Sequence, residues 1–232
     1  MIRLEAVGLR YPGFTLGPIT VGVSGSVIGV VGPNGAGKTT LLSILGGVYE
    51  RHDGEVLFDE DVKSPPERRA TSSCSGISDA WYESRSLAEH FALLAAVCPQ
   101  WDNPKALELS EKFELPLNRP MKAFSTGMRV KASTVVAFAR QSRVAIFDEP
   151  WSSLDPIARV DFSDRLRQLA ASGTTVIVSS HDLDLVEAVV DCLLVIDRGR
   201  CVFFGTTAEA RDHANLGATA PNTDIYRELL RR

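Results

Sequence analysis

No apolar run in the sequence approaches the roughly 18 residues that a membrane span needs; the longest, such as Phe91 to Cys98, stop far short. No segment is therefore expected to cross a bilayer. Cysteine is scarce, and Cys74, Cys98, Cys192 and Cys201 show no Cys-x-x-Cys spacing. Neither a disulfide framework nor a zinc pattern is expected, and reduced thiols are the plain reading. The opening Met-Ile-Arg-Leu-Glu lacks the continuous apolar block of a secretory signal, so export of the chain itself is not expected. An excess of one charge is missing too: 29 Asp and Glu stand against 25 Lys and Arg, a formal net charge of −4. Nothing pulls the whole chain toward nucleic acid, and any anion site must be local. What is present is a 232-residue chain with 44% hydrophobic and 23% charged residues. That is enough to bury a sizeable core in one domain, or one domain with an insertion, and it is unlike a disordered chain.

Short apolar runs bounded by turn residues recur at Val27 to Val31, Val144 to Phe147, Thr174 to Val178 and Leu193 to Ile196. Each is too short for a helix and reads as a buried parallel strand. Helix-like patterns lie between them at Lys38 to Leu45, Pro156 to Ala171 and Asp182 to Val190, and the alternation predicts an α/β fold. Two regions break it. Residues 1 to 25, punctuated by Gly13, Gly17, Pro18, Gly22 and Gly25, read as short strands joined by turns, as does Gly54 to Phe58. From about Asp79 to Ser125 the chain turns helical, with an apolar stripe at Leu87, Phe91, Leu94 and Ala95 and a further segment near Leu107 to Phe113. We read this stretch as a helical subdomain inserted in the α/β core. The acidic run Asp59 to Asp61 reads as a solvated turn.

Gly32 to Thr40 reads GPNGAGKTT, which satisfies Gly-x-x-x-x-Gly-Lys-Ser/Thr directly after the first apolar strand. Such a run, here Gly32, Pro33, Asn34, Gly35, Ala36 and Gly37, curls the backbone so that successive amides face one anion, and the following helix presents its positive end to the same place. Lys38 is expected to reach the β- and γ-phosphates and Thr39 to offer its hydroxyl to Mg²⁺, with Thr40 closing the set. A Gly-rich turn with an incidental lysine is the alternative, and the strand before and helix after weigh against it. Val144 to Pro150 reads VAIFDEP, placing Asp148 and Glu149 at the strand edge where α/β sheets bind ligands. Asp148 fits the magnesium-holding carboxylate and Glu149 a base or orienter for the attacking water. Standing alone, the pair would serve equally as a helix cap before Pro150. Neither Asn-Lys-x-Asp nor Asp-x-x-Gly occurs, so guanine recognition is not indicated.

Over nearly the whole chain these residues resemble the nucleotide-binding subunit of ATP-binding cassette (ABC) transporters. Phe124 to Met128, FSTGM, is similar to the family's signature, usually LSGGQ; Ser153-Leu154-Asp155 matches its D-loop and His181 its switch histidine. Tyr11, ahead of the phosphate loop, looks like the aromatic that stacks on adenine. The resemblance implies a P-loop NTPase (RecA-like) core with an N-terminal antiparallel β-subdomain and an inserted α-helical subdomain at about 79–125, all within a single domain over residues 1–232. It implies an ATP hydrolase using Mg²⁺, with Glu149 and His181 catalytic. ATP would lie between Lys38 of one subunit and Ser125, Thr126 and Gly127 of another, in a homodimer or heterodimer with Asp155 at the interface. A separate transmembrane permease is the implied partner, and a cytoplasmic place on the inner face of the cell membrane the implied location; nucleic acid is not. Each piece also has a plainer reading. Ser125 can simply cap the helix running through Met128, Ala132, Val135 and Ala139, His181 can be structural, and Tyr11 can pack in a strand, whereas stacking on adenine is worth about 1 kcal/mol.

The chain departs from the family pattern at three points. The usual Gln at the entry to the helical region is missing from Gly76-Ile77-Ser78-Asp79-Ala80; Asp79 or Ser78 stands in its place, and Asp79 is the candidate further metal contact. Thr126 stands where Gly is common. Met128 stands where Gln is common, which resembles bacterial exporter-type subunits and points to export. Two other readings remain. One is a non-transport ABC ATPase acting on nucleic acid or ribosomes, against which the absence of a basic segment counts. The other is a binding-only, degenerate subunit, which Glu149 and His181 argue against and the missing Gln favours.

Overall fold

A computed structural model describes residues 1–23, 25–77, 81–216 and 220–231. The chain opens with a hairpin: β1 (Ile2–Tyr11) and β2 (Phe14–Val23) are ten residues each and pair antiparallel. The sequence suggested several short strands here, but the ladder absorbs its irregular residues as register shifts between Leu4 and Leu9 instead of ending. β3 (Val27–Val31) leads into α1 (Lys38–Leu45). β4 (Asp53–Phe58) and β5 (Asp61–Val62) then complete a four-stranded antiparallel sheet of order β2-β1-β4-β5. The acidic turn between β4 and β5 is less free than expected, because Asp59 pairs with Arg143 and Glu60 with Arg3 at 3.2 Å.

The second sheet holds the site. α2 (Pro65–Thr71), opened by a Ser64/Glu67 capping box, delivers β6 (Ser72–Ser75). α3 (Leu87–Val97), α4 (Asn103–Lys112) and a 3₁₀ turn at Met121–Ala123 precede α5 (Thr126–Ala139). There follow β7 (Val144–Phe147), α6 (Pro156–Ala171), β8 (Thr175–Ser180), α7 (Leu183–Glu187), β9 (Cys192–Asp197), β10 (Arg200–Gly205), α8 (Thr207–His213) and α9 (Asn222–Leu230). The strand order is β10-β9-β3-β8-β7-β6, parallel throughout except for β10 against β9.

β3 shows why its neighbours read as unbroken apolar runs. Val27 and Val31 enter the core shared with α5 and α6, while Ile28 and Val30 enter the one shared with α1 and the antiparallel sheet. Both faces are covered, so alternation with polar residues disappears. β6 escapes that rule, since it is made of Ser72, Ser73, Cys74 and Ser75. Two of its three buried hydroxyls are satisfied by α5 instead: Ser73 Oγ donates to the Ala137 carbonyl at 3.0 Å, and Ser75 Oγ lies 3.0 Å from Ser133 Oγ and from Thr134 Oγ1, while Ser72 Oγ is buried without a partner. Phe138, Phe147, Trp151 and Phe162, with ring centroids 5.1 to 5.7 Å apart, lock α5 and α6 onto the end of β7.

Three helices differ from expectation. The buried stripe of α3 is narrower, with Leu87 and Phe91 buried, Leu94 half-buried and Ala95 exposed. α4 starts earlier because Asp102 caps it, accepting from the Lys105 amide at 2.9 Å, with Pro104 in the first turn. α7 stops at Glu187 because Val189 bonds back to the Val186 carbonyl in a tighter turn.

Candidate nucleotide-binding site

The loop between β3 and α1 depends on its glycines: a Cβ at Gly32 would lie 2.3 Å from the Ile196 carbonyl oxygen. Gly37 has φ +109°, a region side chains rarely adopt, and a Cβ there would lie 2.9 Å from Phe14 Cζ. No side chain caps α1, which leaves its first amides available to an anion. Lys38 is buried; its Nζ donates to the Gly32 carbonyl at 2.8 Å and pairs with Glu149 Oε1 at 3.2 Å.

The end of β7 supplies the carboxylates. The Asp148 amide donates to the Ser75 carbonyl at 2.9 Å, and Thr39 Oγ1 donates to Asp148 Oδ2 at 2.5 Å. Glu149 sits at φ +48°, an uncommon conformation for a non-glycine residue. Its Oε2 lies 2.9 Å from His181 Nδ1, which follows β8 directly. Ser179, within β8, ties the Asp148 carboxylate to the Glu149 backbone: its hydroxyl donates to Asp148 Oδ1 and accepts from the Glu149 amide at 3.0 Å. Lys38, Thr39, Asp148, Glu149 and His181 are therefore one hydrogen-bonded and ion-paired group. A hydroxyl and a carboxylate converge at Thr39 and Asp148, and among the described residues no cluster of three His, Cys, Asp or Glu could hold a metal by itself. Such a spare, all-oxygen donor set fits Mg²⁺, which keeps waters and takes phosphate oxygens as further ligands.

Tyr11 and Phe14 wall the other side of a cleft of about 330 Å³ whose floor includes Pro33, Asn34, Gly35 and Thr40. The two rings are 5.4 Å apart, and the Tyr11 hydroxyl lies 3.2 Å from Thr40 Oγ1. Gly32 contributes its carbonyl to Lys38, and the Ala36 carbonyl accepts from the Gly199 amide at 2.8 Å.

Ser125, Thr126, Gly127 and Asp155 do not line this cleft. Ser125 caps α5, accepting from the Met128 amide at 3.2 Å, and both it and Thr126 are exposed while Gly127 is half-buried. Asp155 caps α6; the amides of Ala158 and Ile157, each 3.0 Å away, hold its carboxyl below the usual range. Asp79 and Ser78 lie outside the described residues. Reading the sequence missed Ser179, Phe14 and a fork in which Arg129 Nη1 and Nη2 each reach a Glu83 carboxylate oxygen at 2.7 Å, with Nη2 also on the Met121 carbonyl at 2.8 Å. Ser179 carried a signal, a hydroxyl at the end of an apolar strand, and so did Phe14, an aromatic three residues after Tyr11; Glu83 carried none, because Arg129 is distant in the chain.

The model of the ABC transporter family matches residues 21–152. The ABC transporter ATP-binding protein NatA of Bacillus subtilis is 29% identical over 78% of this chain and 77% of its own length. The daunorubicin/doxorubicin resistance ATP-binding protein DrrA of Streptomyces peucetius is 31% identical over 81% of this chain and 59% of its own length. The chain thus spans less than two thirds of DrrA, and likewise 56% of the ABC transporter ATP-binding protein YtrB of Bacillus subtilis, at 27% identity over 70% of this chain. Among solved structures, an ATP-binding subunit of an ABC transporter superposes with a TM-score of 0.85 at 25% identity, covering 99% of both chains. A dimeric ATP-binding cassette in a post-hydrolysis state bound to ADP and Pi shares the fold, with a TM-score of 0.75 at 18% identity over 89% of this chain and 98% of the other.

Proposed function

From the premise that the chain belongs to the ABC transporter family, we propose that it is the subunit that binds and hydrolyses ATP to energise export through a separate transmembrane permease. The observation that carries this reading is the convergence of Lys38 and Thr39 from α1, Asp148 and Glu149 from just beyond β7, and His181 from beyond β8. Phosphate entering at the start of α1 exchanges the Lys38–Glu149 pair for a Lys38–phosphate pair and releases Glu149 Oε1. Glu149 then takes the proton of the attacking water as general base, and His181 holds its other oxygen in line. Thr39 and Asp148 would hold Mg²⁺, which when bound supplies positive charge to the phosphates; Asp79 is proposed to stand in for the usual Gln. Tyr11 leaves Thr40 to stack on adenine, and Phe14 backs it.

Ser125, Thr126 and Gly127 are proposed to complete the ATP site of a second subunit, in a two-fold homodimer or heterodimer with Asp155 at its interface. The exposure of Ser125 and Thr126 on their own chain supports this. Residues 1–232 form one domain in this reading, with its helical subdomain at about 79–125. Among the described residues no helix is long and apolar enough to cross a membrane; the place proposed is the cytoplasmic face, against the permease. Met128 and the drug-resistance role named for DrrA favour export. The test is nucleotide titration and phosphate release by the purified chain and by Lys38→Ala. Loss of one charge from a buried pair is expected to weaken ATP binding by about 100-fold or more. Unchanged affinity and turnover would overturn the reading.

A further inference from the structure

One helix at the rim of the site is too short to hold its own place. α7 begins two residues after His181 and has only five residues, and an isolated helix of that length does not persist in water. Three sets of contacts position it. Asp182 caps it, its Oδ1 accepting from the Asp184 and Leu185 amides at 3.1 and 3.4 Å. Leu183 and Val186 are buried on its inner face, where a Cβ at Gly29 of β3 would lie 2.4 Å from Val186 Cγ1; glycine there makes room for the helix. Asp184 and Glu187, one turn apart on its outer face, are both held by the C-terminal helices. Asn222 Nδ2, at the start of α9, donates to Asp184 Oδ1 at 2.7 Å. Arg211 of α8 donates to Glu187 Oε1, to Asn222 Oδ1 at 2.9 Å and to the Ala220 carbonyl at 2.9 Å.

Beneath this clamp Ile225 and Leu229 of α9 are buried in the same core as Leu183 and Val186. Tyr226, on the same helix, has its hydroxyl buried without a partner. Burial, and then the charges of Asp197 and Glu149, push that phenol up from its ordinary value.

We propose that α8 and α9 brace the switch segment: Arg211 and Asn222 are positioning residues that hold α7, and through it His181, at hydrogen-bond distance from Glu149. The inference rests on the reading of Glu149 and His181 as the hydrolytic pair. Neither Arg211 nor Asn222 lines the nucleotide cleft, so loosening the C-terminal helices changes turnover and leaves nucleotide affinity alone.

The experiment sets Arg211→Glu, which opposes like charges at Glu187, beside the exchanged pair Arg211→Glu with Glu187→Arg, and beside Asn222→Ala, which removes the contacts to Asp184 and to Arg211 and leaves the Arg211–Glu187 pair in place. Arg211→Glu is expected to lower kcat by about ten- to a hundredfold, the range that small misplacements of a reacting group produce, with the dissociation constant for ATP unchanged. Amide hydrogen exchange should accelerate over residues 181–187 and not over 32–40. The exchanged pair should recover both readouts, and Asn222→Ala should show the same pattern more weakly. The brace is overturned if Arg211→Glu and Asn222→Ala leave turnover and exchange untouched, if the exchanged pair is no better than Arg211→Glu, or if ATP affinity falls in step with turnover. If the wild-type chain binds ATP without hydrolysing it while exchange over 181–187 responds as stated, the hydrolytic reading fails and the brace stands.

Discussion

At the phosphate end of the proposed site, Lys38 has Gly32 and Glu149 as partners, Thr39 has Asp148, and Glu149 has His181. At the signature end, Ser125 uses its hydroxyl on the Met128 amide and Thr126 faces solvent. The first set forms a closed network of charges and hydrogen bonds in one chain, so a substitution there disturbs several neighbours at once. The second set meets only its own helix, so a substitution there should be nearly silent until a second subunit arrives.

The sharpest break of this contrast is Glu149→Gln. Losing the base should reduce phosphate release by about 10² to 10⁴. ATP affinity should not fall, because the neutral amide no longer competes for Lys38. Single-turnover phosphate release beside a nucleotide titration checks both halves, and wild-type turnover would remove Glu149 from the mechanism.

Ser125→Arg, added to Glu149→Gln, tests the other end. Mg-ATP should drive dimerisation of the single variant, seen by light scattering, and the added arginine should prevent it by blocking close approach, with ATP binding by the monomer intact. Ser125→Ala is the milder control and should lose only the cap, about 1 kcal/mol. If Ser125→Arg abolished monomer binding, Ser125 would belong to the same-chain site and the contrast would collapse.

Tyr11→Ala should weaken ATP by about 1 kcal/mol, a several-fold loss, if its ring stacks on the base. Tyr11→Phe, which keeps the ring and removes only the contact to Thr40, should bind ATP at least as well as wild type. Weaker binding by Tyr11→Phe in the same titration would make the hydroxyl, and not the ring, the useful group.

The smallest effect is expected at Asp155. The Ala158 amide, then that of Ile157, holds its carboxyl below the ordinary 3.8. The stabilisation is therefore complete above that value and is lost as pH falls through the lower folded-state value. Asn caps as well as Asp, so Asp155→Asn should match wild type in urea denaturation at neutral pH and show a shallower loss of stability below pH 3.8. Parallel acid slopes for the two proteins would contradict this.

Much of the site was legible because its parts are local. Gly32 to Thr40 is a strand-loop-helix whose chemistry depends on neighbours in sequence, and Asp148 and Glu149 end an apolar strand whose length announces it. β6 was not legible: its serines look like a loop, and the Ala137 carbonyl under Ser73 and the hydroxyls of Ser133 and Thr134 around Ser75 come from a helix 58 to 64 residues further along the chain. The paired state of the Asp59 turn was hidden for a similar reason, since Arg143 lies far along the chain.

By itself the sequence determined the α/β alternation, the glycine-rich loop between strand and helix, the two carboxylates at a strand end and the order of motifs in between, since each depends on periodicity or on residues within one turn or strand. Only the tertiary structure decided that Lys38 faces Glu149, that Ser179 ties Asp148 to the Glu149 amide, that Glu83 grips Arg129, and that Arg211 and Asn222 hold the helix after His181. Those contacts join segments far apart in the chain, and their existence depends on the depth at which separate helices settle onto a shared sheet, which no local pattern encodes.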